Sequence, residues 1–186
     1  PLLVIFSLIP LGPLAIDIYL PSFPQMIEAF AVSDSEIRQT ISIYVLALGV
    51  SQLIAGPVSD RKGRKFSAML GLFMYVAGSL LVVASSSLEM LYAARALQGV
   101  GASFTMITAM AWVRDNYEGD VAGKWLSYMG GVTSAVPTIA PLIGSGLALL
   151  WGWTGGFYLM AGLALLLFVI SAVALQSKKS VKTTVD

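Results

Sequence analysis

Long apolar runs alternate with short polar intervals along this chain, and each run is close to the length a helix needs to cross a bilayer. About 20 apolar residues in helical form span the hydrocarbon core. Six segments meet that requirement, roughly residues 2 to 23, 37 to 58, 66 to 85, 90 to 112, 122 to 149 and 156 to 175. The pattern predicts an all-α transmembrane bundle of six spans. Ser33, followed three places later by Glu36, reads as a capping box that opens the second helix where the polar interval ends. Pro13 and Pro21 interrupt the first run, and Pro137 and Pro141 the fifth. Proline removes an intrahelical hydrogen bond and its ring collides with the preceding turn, so these positions should bend their helices, with Gly144 beside the last of them.

Composition agrees with the pattern. Of the 186 residues 57% are hydrophobic and only 11% charged, against roughly a quarter charged in an ordinary soluble domain. Eleven Lys and Arg nearly cancel ten Asp and Glu, so nothing points to a basic nucleic-acid surface. The sequence has no cysteine and no histidine, which removes disulfides, zinc sites and thiol or imidazole catalysis. No metal or other cofactor is expected. An enzyme is not expected either, because there is no nucleophile elbow and GDVAGKW misses the P-loop in spacing and final hydroxyl. Pro1 stands where a methionine would start a chain, and an apolar run begins at once, so residues upstream are expected to be missing. No small-residue cleavage site marks the first run as a signal peptide.

Where the charges fall is more informative than their sum. Arg61, Lys62, Arg64, Lys65, Arg114, Lys124, Lys178, Lys179 and Lys182 lie on one side of the predicted spans and Arg38 alone on the other. The positive-inside rule puts the first group, and both termini, in the cytoplasm. Trp112, Trp125, Trp151 and Trp153 sit near span ends, where amphipathic rings prefer the interface. Two charges remain inside the hydrocarbon, Asp17 and Arg95. Each costs about 2.5–3.5 kcal/mol at mid-span on the insertion scale, so such residues usually face a cavity or a partner. Both lie toward the outer halves of their helices, where snorkelling lowers the cost and a structural ion pair or anchor is the alternative to a functional role. Arg95, Gln98, Gly99, Ala102 and Met106 recur at three- and four-residue spacing and share one face of the fourth helix. The small members of that face also permit close helix packing.

Several motifs then carry a resemblance. GPVSDRKGRK, residues 56 to 65, sets Gly56, Asp60, Arg61, Gly63, Arg64 and Lys65 in a spacing that resembles the signature loop of the major facilitator superfamily. LYAARALQGVGAS, residues 91 to 103, resembles that superfamily's fourth-helix motif. AVPTIAPLIGS, residues 135 to 145, is a degraded likeness of its antiporter motif, with Ala140 and Ser145 where glycines are usual and Pro141 and Gly144 kept. DIYLPSFP, from Asp17, resembles the first helix of the bicyclomycin- and chloramphenicol-resistance (Bcr/CflA) group of drug:proton antiporters. The likeness weakens after Leu175, in QSKKSVKTTVD, and Thr154 stands where that group usually has arginine.

The resemblance implies a six-helix half of two inverted three-helix repeats, about 1 to 86 and 87 to 176, with a basic cytoplasmic tail at 177 to 186. It implies a proton-coupled multidrug efflux antiporter of a bacterial-type inner membrane, taking small lipophilic or cationic drug-like substrates and protons. Proton coupling would fall on Asp17, with Arg95 as the second electrostatic element. The cavity would be lined by Tyr19, Tyr44, Gln52, Gln98, Met106 and Thr138. The signature loop would act as a gate, with Asp60 facing a helix N-terminus of the other half and Arg64 paired with Asp115 of VRDNYEG. Because the superfamily normally has twelve helices, a homodimer or a second six-helix half is implied. The chain would then be an excised half, one product of a split transporter, or a short protein that pairs with itself. A carrier of a sugar or metabolite and a non-transporting membrane assembly module remain as alternatives.

Overall fold

The computed structural model describes residues 2–175, and every regular element among them is helical. The proposed basic tail lies outside the described residues. The first span is built from three pieces, α1 (Leu2–Leu8), α2 (Leu11–Asp17) and α3 (Phe23–Phe30), with a 3-10 turn at Leu20–Ser22 before α3. Proline accounts for both interruptions. Pro13 has no N–H for the carbonyl of Ile9, and Pro21 none for that of Asp17, so the ladder fails at those turns. The span also continues to Phe30, past the expected end at residue 23, and stops at Ala31 in the left-handed conformation (φ 53°).

The other spans are α4 (Asp34–Lys62), α5 (Arg64–Val83), α6 (Leu88–Asn116), α7 (Gly119–Trp151) and α8 (Gly155–Ala174). The capping box forms as expected. Ser33 N donates to Glu36 Oε2 at 2.8 Å and Glu36 N donates to Ser33 Oγ at 3.3 Å. Gly63 alone joins α4 to α5, at φ 91°, a backbone conformation that side chains resist. Gly119–Ala174 is a 56-residue apolar helical stretch, far longer at 1.5 Å per residue than a bilayer is thick. It folds at Gly152 (φ 68°) through a 3-10 turn, Gly152–Thr154, and α8 then lies against α7. A Cβ on Gly155 would stand 2.8 Å from the Leu147 carbonyl oxygen, so the fold-back is tight.

Helix α6 is the axis of the bundle. It packs on α4 and α5, α8 covers α5, and α7 lies against α2 and the following 3-10 turn. Small residues make this possible: a Cβ on Gly99 would reach 2.4 Å from Tyr44 O of α4, and one on Gly101 2.5 Å from Tyr75 N of α5. The outer faces of α4 and α7 are different. No atom lies within 4 Å of a Cβ built on Gly49, Gly56, Gly130 or Gly131.

Candidate functional site

Arg95 projects from α6 into the interior and is fully buried. Its Nη2 donates to the carbonyl of Ala15 at 2.8 Å and its Nη1 donates to Gln98 Oε1. The guanidinium carbon lies 4.5 Å from the Tyr44 ring centroid, 4.6 Å from that of Tyr19 and 5.9 Å from that of Phe157. Ala15 belongs to the last turn of α2, where unpaired carbonyls form the negative end of the helix dipole and favour a cation. Electron-rich ring faces add to the compensation. The charge is therefore balanced by dipoles and rings, with no carboxylate within salt-bridge distance among the described residues. One guanidinium nitrogen, Nε, is buried without a partner.

Two tyrosines grip the same short helix. Tyr44 OH of α4 donates to Gly12 O at 2.8 Å, and Tyr75 OH of α5 donates to Leu11 O at 2.8 Å. With Arg95, three different spans thus hold backbone oxygens of α2. Tyr19 OH meets Thr40 Oγ1 at 2.8 Å, and since Thr40 donates to Ile37 O at 2.6 Å, the tyrosine is the donor. Gln98 Nε2 donates to Ser79 Oγ at 2.8 Å, and Ser79 in turn donates to Tyr75 O at 2.8 Å. Met160 of α8 closes the network, with its sulfur 3.3 Å from Tyr75 OH.

Asp17, the last residue of α2, is half-buried and makes no side-chain hydrogen bond or ion pair among the described residues. It does not touch Arg95, which instead holds the backbone two residues earlier. Just beyond, the Ile18 carbonyl lies so close to α7 that a Cβ on Gly144 would be 1.8 Å from its oxygen. The carboxylate thus sits at a chain break clamped by Arg95 on one side and by the Gly144 backbone on the other.

The structure therefore brings Tyr19, Tyr44, Arg95 and Gln98 together, and sets Met106 against α2, its sulfur 3.3 Å from a Cβ built on Gly12. Gln52 on α4 is half-buried and Thr138 on α7 exposed, and neither makes a hydrogen bond with this group. Pro137 and Pro141 lie within α7, which continues through both. Thr133, Ser134 and Ser145 hydroxyls donate to carbonyls four residues back, at 2.8 to 3.0 Å, which takes up acceptors on either side of the prolines. The sequence reading missed Tyr75, Ser79, Phe157 and Met160. Tyr75 and Ser79 were visible as a hydroxyl pair at four-residue spacing in an apolar run; nothing in the sequence marked the two residues of α8.

A second cluster lies at the other end of α4. Arg64 donates to Asp115 through Nε at 2.6 Å and Nη2 at 3.1 Å, and through Nη1 to Asp60 at 2.6 Å and Ser59 Oγ at 2.8 Å. Lys65 Nζ donates to Ala172 O at 2.5 Å, in the last turn of α8. Arg61 and Lys62 are exposed.

Residues 6–185 match the family model described as the Major Facilitator Superfamily. This chain belongs to the Major Facilitator Superfamily. It is 32% identical over 179 residues to "Multidrug resistance protein MdtL" of Shewanella oneidensis, covering 96% of this chain and 45% of that protein. With the MdtL of Vibrio parahaemolyticus the identity is 34% over 175 residues, 94% of this chain and 44% of the relative. "Uncharacterized MFS-type transporter YdgK" of Bacillus subtilis is 34% identical over 168 residues, 89% and 42% of the two chains. The chain spans less than half the length of these superfamily relatives. A solved POT peptide transporter mutant in complex with alafosfalin has the same fold over 96% of this chain and 39% of its own, with TM-score 0.74 and 18% identity. The six-helix bundle is accordingly a superfamily half of two inverted three-helix repeats in a multi-pass membrane protein.

Proposed function

We propose that this chain is one half of a proton-coupled multidrug efflux antiporter that works by alternating access. The carrying observation is the half-buried Asp17 carboxylate, which makes no hydrogen bond or ion pair among the described residues and stands at a helix break fixed by Arg95. An acid that no cation holds is open to a proton or to a cationic substrate, and either one excludes the other. Proton and drug therefore compete for one acid. Arg95, bound to the Ala15 carbonyl and Gln98, biases the competition without consuming the acid in an ion pair. Names such as "Multidrug resistance protein" among relatives over 30% identical support a drug-like substrate.

Antiport needs an opposing wall, and the open glycine-bearing faces of α4 and α7 support a partner there, either a second copy of this chain or a second six-helix half. In the resulting assembly the repeats divide at about residue 86, the termini face the cytoplasm of a bacterial-type cell, and the Asp60–Arg64–Asp115 cluster gates the inner end. Gln52, Met106 and Thr138, which are not fully buried, would supply the cavity wall from this half, whereas Tyr19, Tyr44 and Gln98, expected there from the sequence, are fully buried and bonded within the bundle and would act behind the wall. Pro13, Pro21, Pro137, Pro141 and Gly144 would supply its bends. The test is Asp17→Asn in the assembled transporter, reconstituted with a panel of lipophilic cations. Insertion and assembly should be preserved and drug-driven proton release abolished. Unchanged proton release from the Asn variant overturns the reading.

A further inference from the structure

A groove of about 400 Å³ runs along the outside of the bundle between α4 and α5, floored by α6. Val50 and Ile54 line it from α4, Leu70 and Met74 from α5, and Val100 and Phe104 form its floor. Ser51 also lines it, but its hydroxyl donates back to Ala47 O at 2.5 Å. The groove therefore offers no unmet hydrogen bond, and a water molecule would find no partners there. Its natural filling within a membrane is hydrocarbon.

What stands at its end is charged. Val50, Ile54, Val58 and Arg61 follow one another at helical spacing, so Arg61 lies on the groove's stripe of α4, about 10 Å beyond Ile54. Lys62 is next to it. Both are exposed and neither meets a carboxylate within 4 Å among the described residues, whereas Asp60 and Asp115 are already taken by Arg64. The open glycines of α4, Gly49 and Gly56, lie roughly 100° or more around the helix from this stripe. A protein partner packed on the glycine face leaves the groove toward lipid.

We infer that the groove holds an acyl chain of an anionic phospholipid whose phosphate lies against Arg61 and Lys62. The apolar trough fixes the chain and the two uncommitted cations select the headgroup, so the site distinguishes lipids by charge at one leaflet. The inference concerns a lipid site and does not depend on the direction or substrate of transport.

Met74→Trp places a reporter in the groove of the full chain, read against the unsubstituted protein in vesicles with dibrominated phosphatidylglycerol or dibrominated phosphatidylcholine. Quenching should favour phosphatidylglycerol by about thirtyfold in apparent affinity, the scale of two Lys/Arg side chains at an anionic surface. The preference should vanish in an Arg61→Gln, Lys62→Gln background. Equal quenching by the two lipids, a preference that survives the double substitution, or no quenching by either, which means that protein covers the groove, each overturns the proposal. Should Met74→Trp fail to insert, native mass spectrometry of the unsubstituted chain gives the same decision. Phosphatidylglycerol retained by it and lost from the double Gln variant supports the site, and its absence overturns it.

Discussion

Arg95 and Arg64 are both held by several partners, yet they solve opposite problems. Arg95 is wholly buried and bound to a carbonyl, an amide oxygen and aromatic faces. Arg64, with a side chain 21% exposed, is bound to two carboxylates that are themselves substantially exposed. Arg95 is thus held by dipoles and rings fixed by the fold, and Asp17 stays outside any ion pair among the described residues. At the loop, the carboxylates belong to two different helices, α4 and α6, so a relative movement of those helices changes which partner Arg64 keeps. One arginine is held by backbone and rings inside the bundle; the other ties carboxylates of two helices together at its surface.

The largest effects should come from the buried site. Arg95→Met strands the Ala15 carbonyl and Gln98 Oε1, each costing about 1–3 kcal/mol when buried without a donor. Arg95→Lys keeps the charge but replaces a planar fork by a single ammonium, so it should still lose one of the two acceptors. Both variants should melt earlier in detergent, Met more than Lys, and both should lose drug-driven proton release. A Lys variant with unaltered stability and coupling would show that charge alone matters there. Next comes Gly144→Ala, whose new methyl would fall 1.8 Å from Ile18 O, a backbone atom that cannot swing away. Overpacking of this kind costs about 1–3 kcal/mol or more. Gly131→Ala meets no atom within 4 Å and should leave thermal stability unchanged, so equal losses for the two would remove the claim that α7 clamps the break beside Asp17.

How far the sequence reached follows the same division. The number of spans, the capping box at Ser33 and the break after Asp17 were legible because each depends on local chemistry: run length, a side chain reaching three residues on, and a missing N–H at Pro21. The partner of Arg95 was not legible. Sequence placed two opposite charges in the hydrocarbon and left an Asp17–Arg95 pair open, but the arginine's partner is a backbone carbonyl, and every residue carries one of those. Tyr75 and Ser79 were overlooked for a related reason, since a hydroxyl in an apolar run carries no mark of what it will bond. Arg64 and Asp115, 51 residues apart, were matched only through the family motif; no spacing rule links the end of one helix with the start of another.

The smallest effect on stability should come from the loop, and there it separates a switch from a fixture. Exposed ion pairs are typically worth about 0.2–1 kcal/mol. Arg64→Lys, which cannot hold Asp115 through two nitrogens and Asp60 through a third, should therefore shift the melting temperature little. A bias of that size still changes a conformational equilibrium by up to about fivefold. Because the sequence has no cysteine, Thr138→Cys on the exposed side of α7 gives a single site for an impermeant maleimide. If Arg64 holds α4 and α6 in register in one state and releases them in another, the labelling rate of Thr138→Cys should change severalfold in the Arg64→Lys background while thermal stability barely moves. If both stay the same, the cluster is a surface ion pair with no part in the conformational cycle, and the contrast with Arg95 reduces to one of burial.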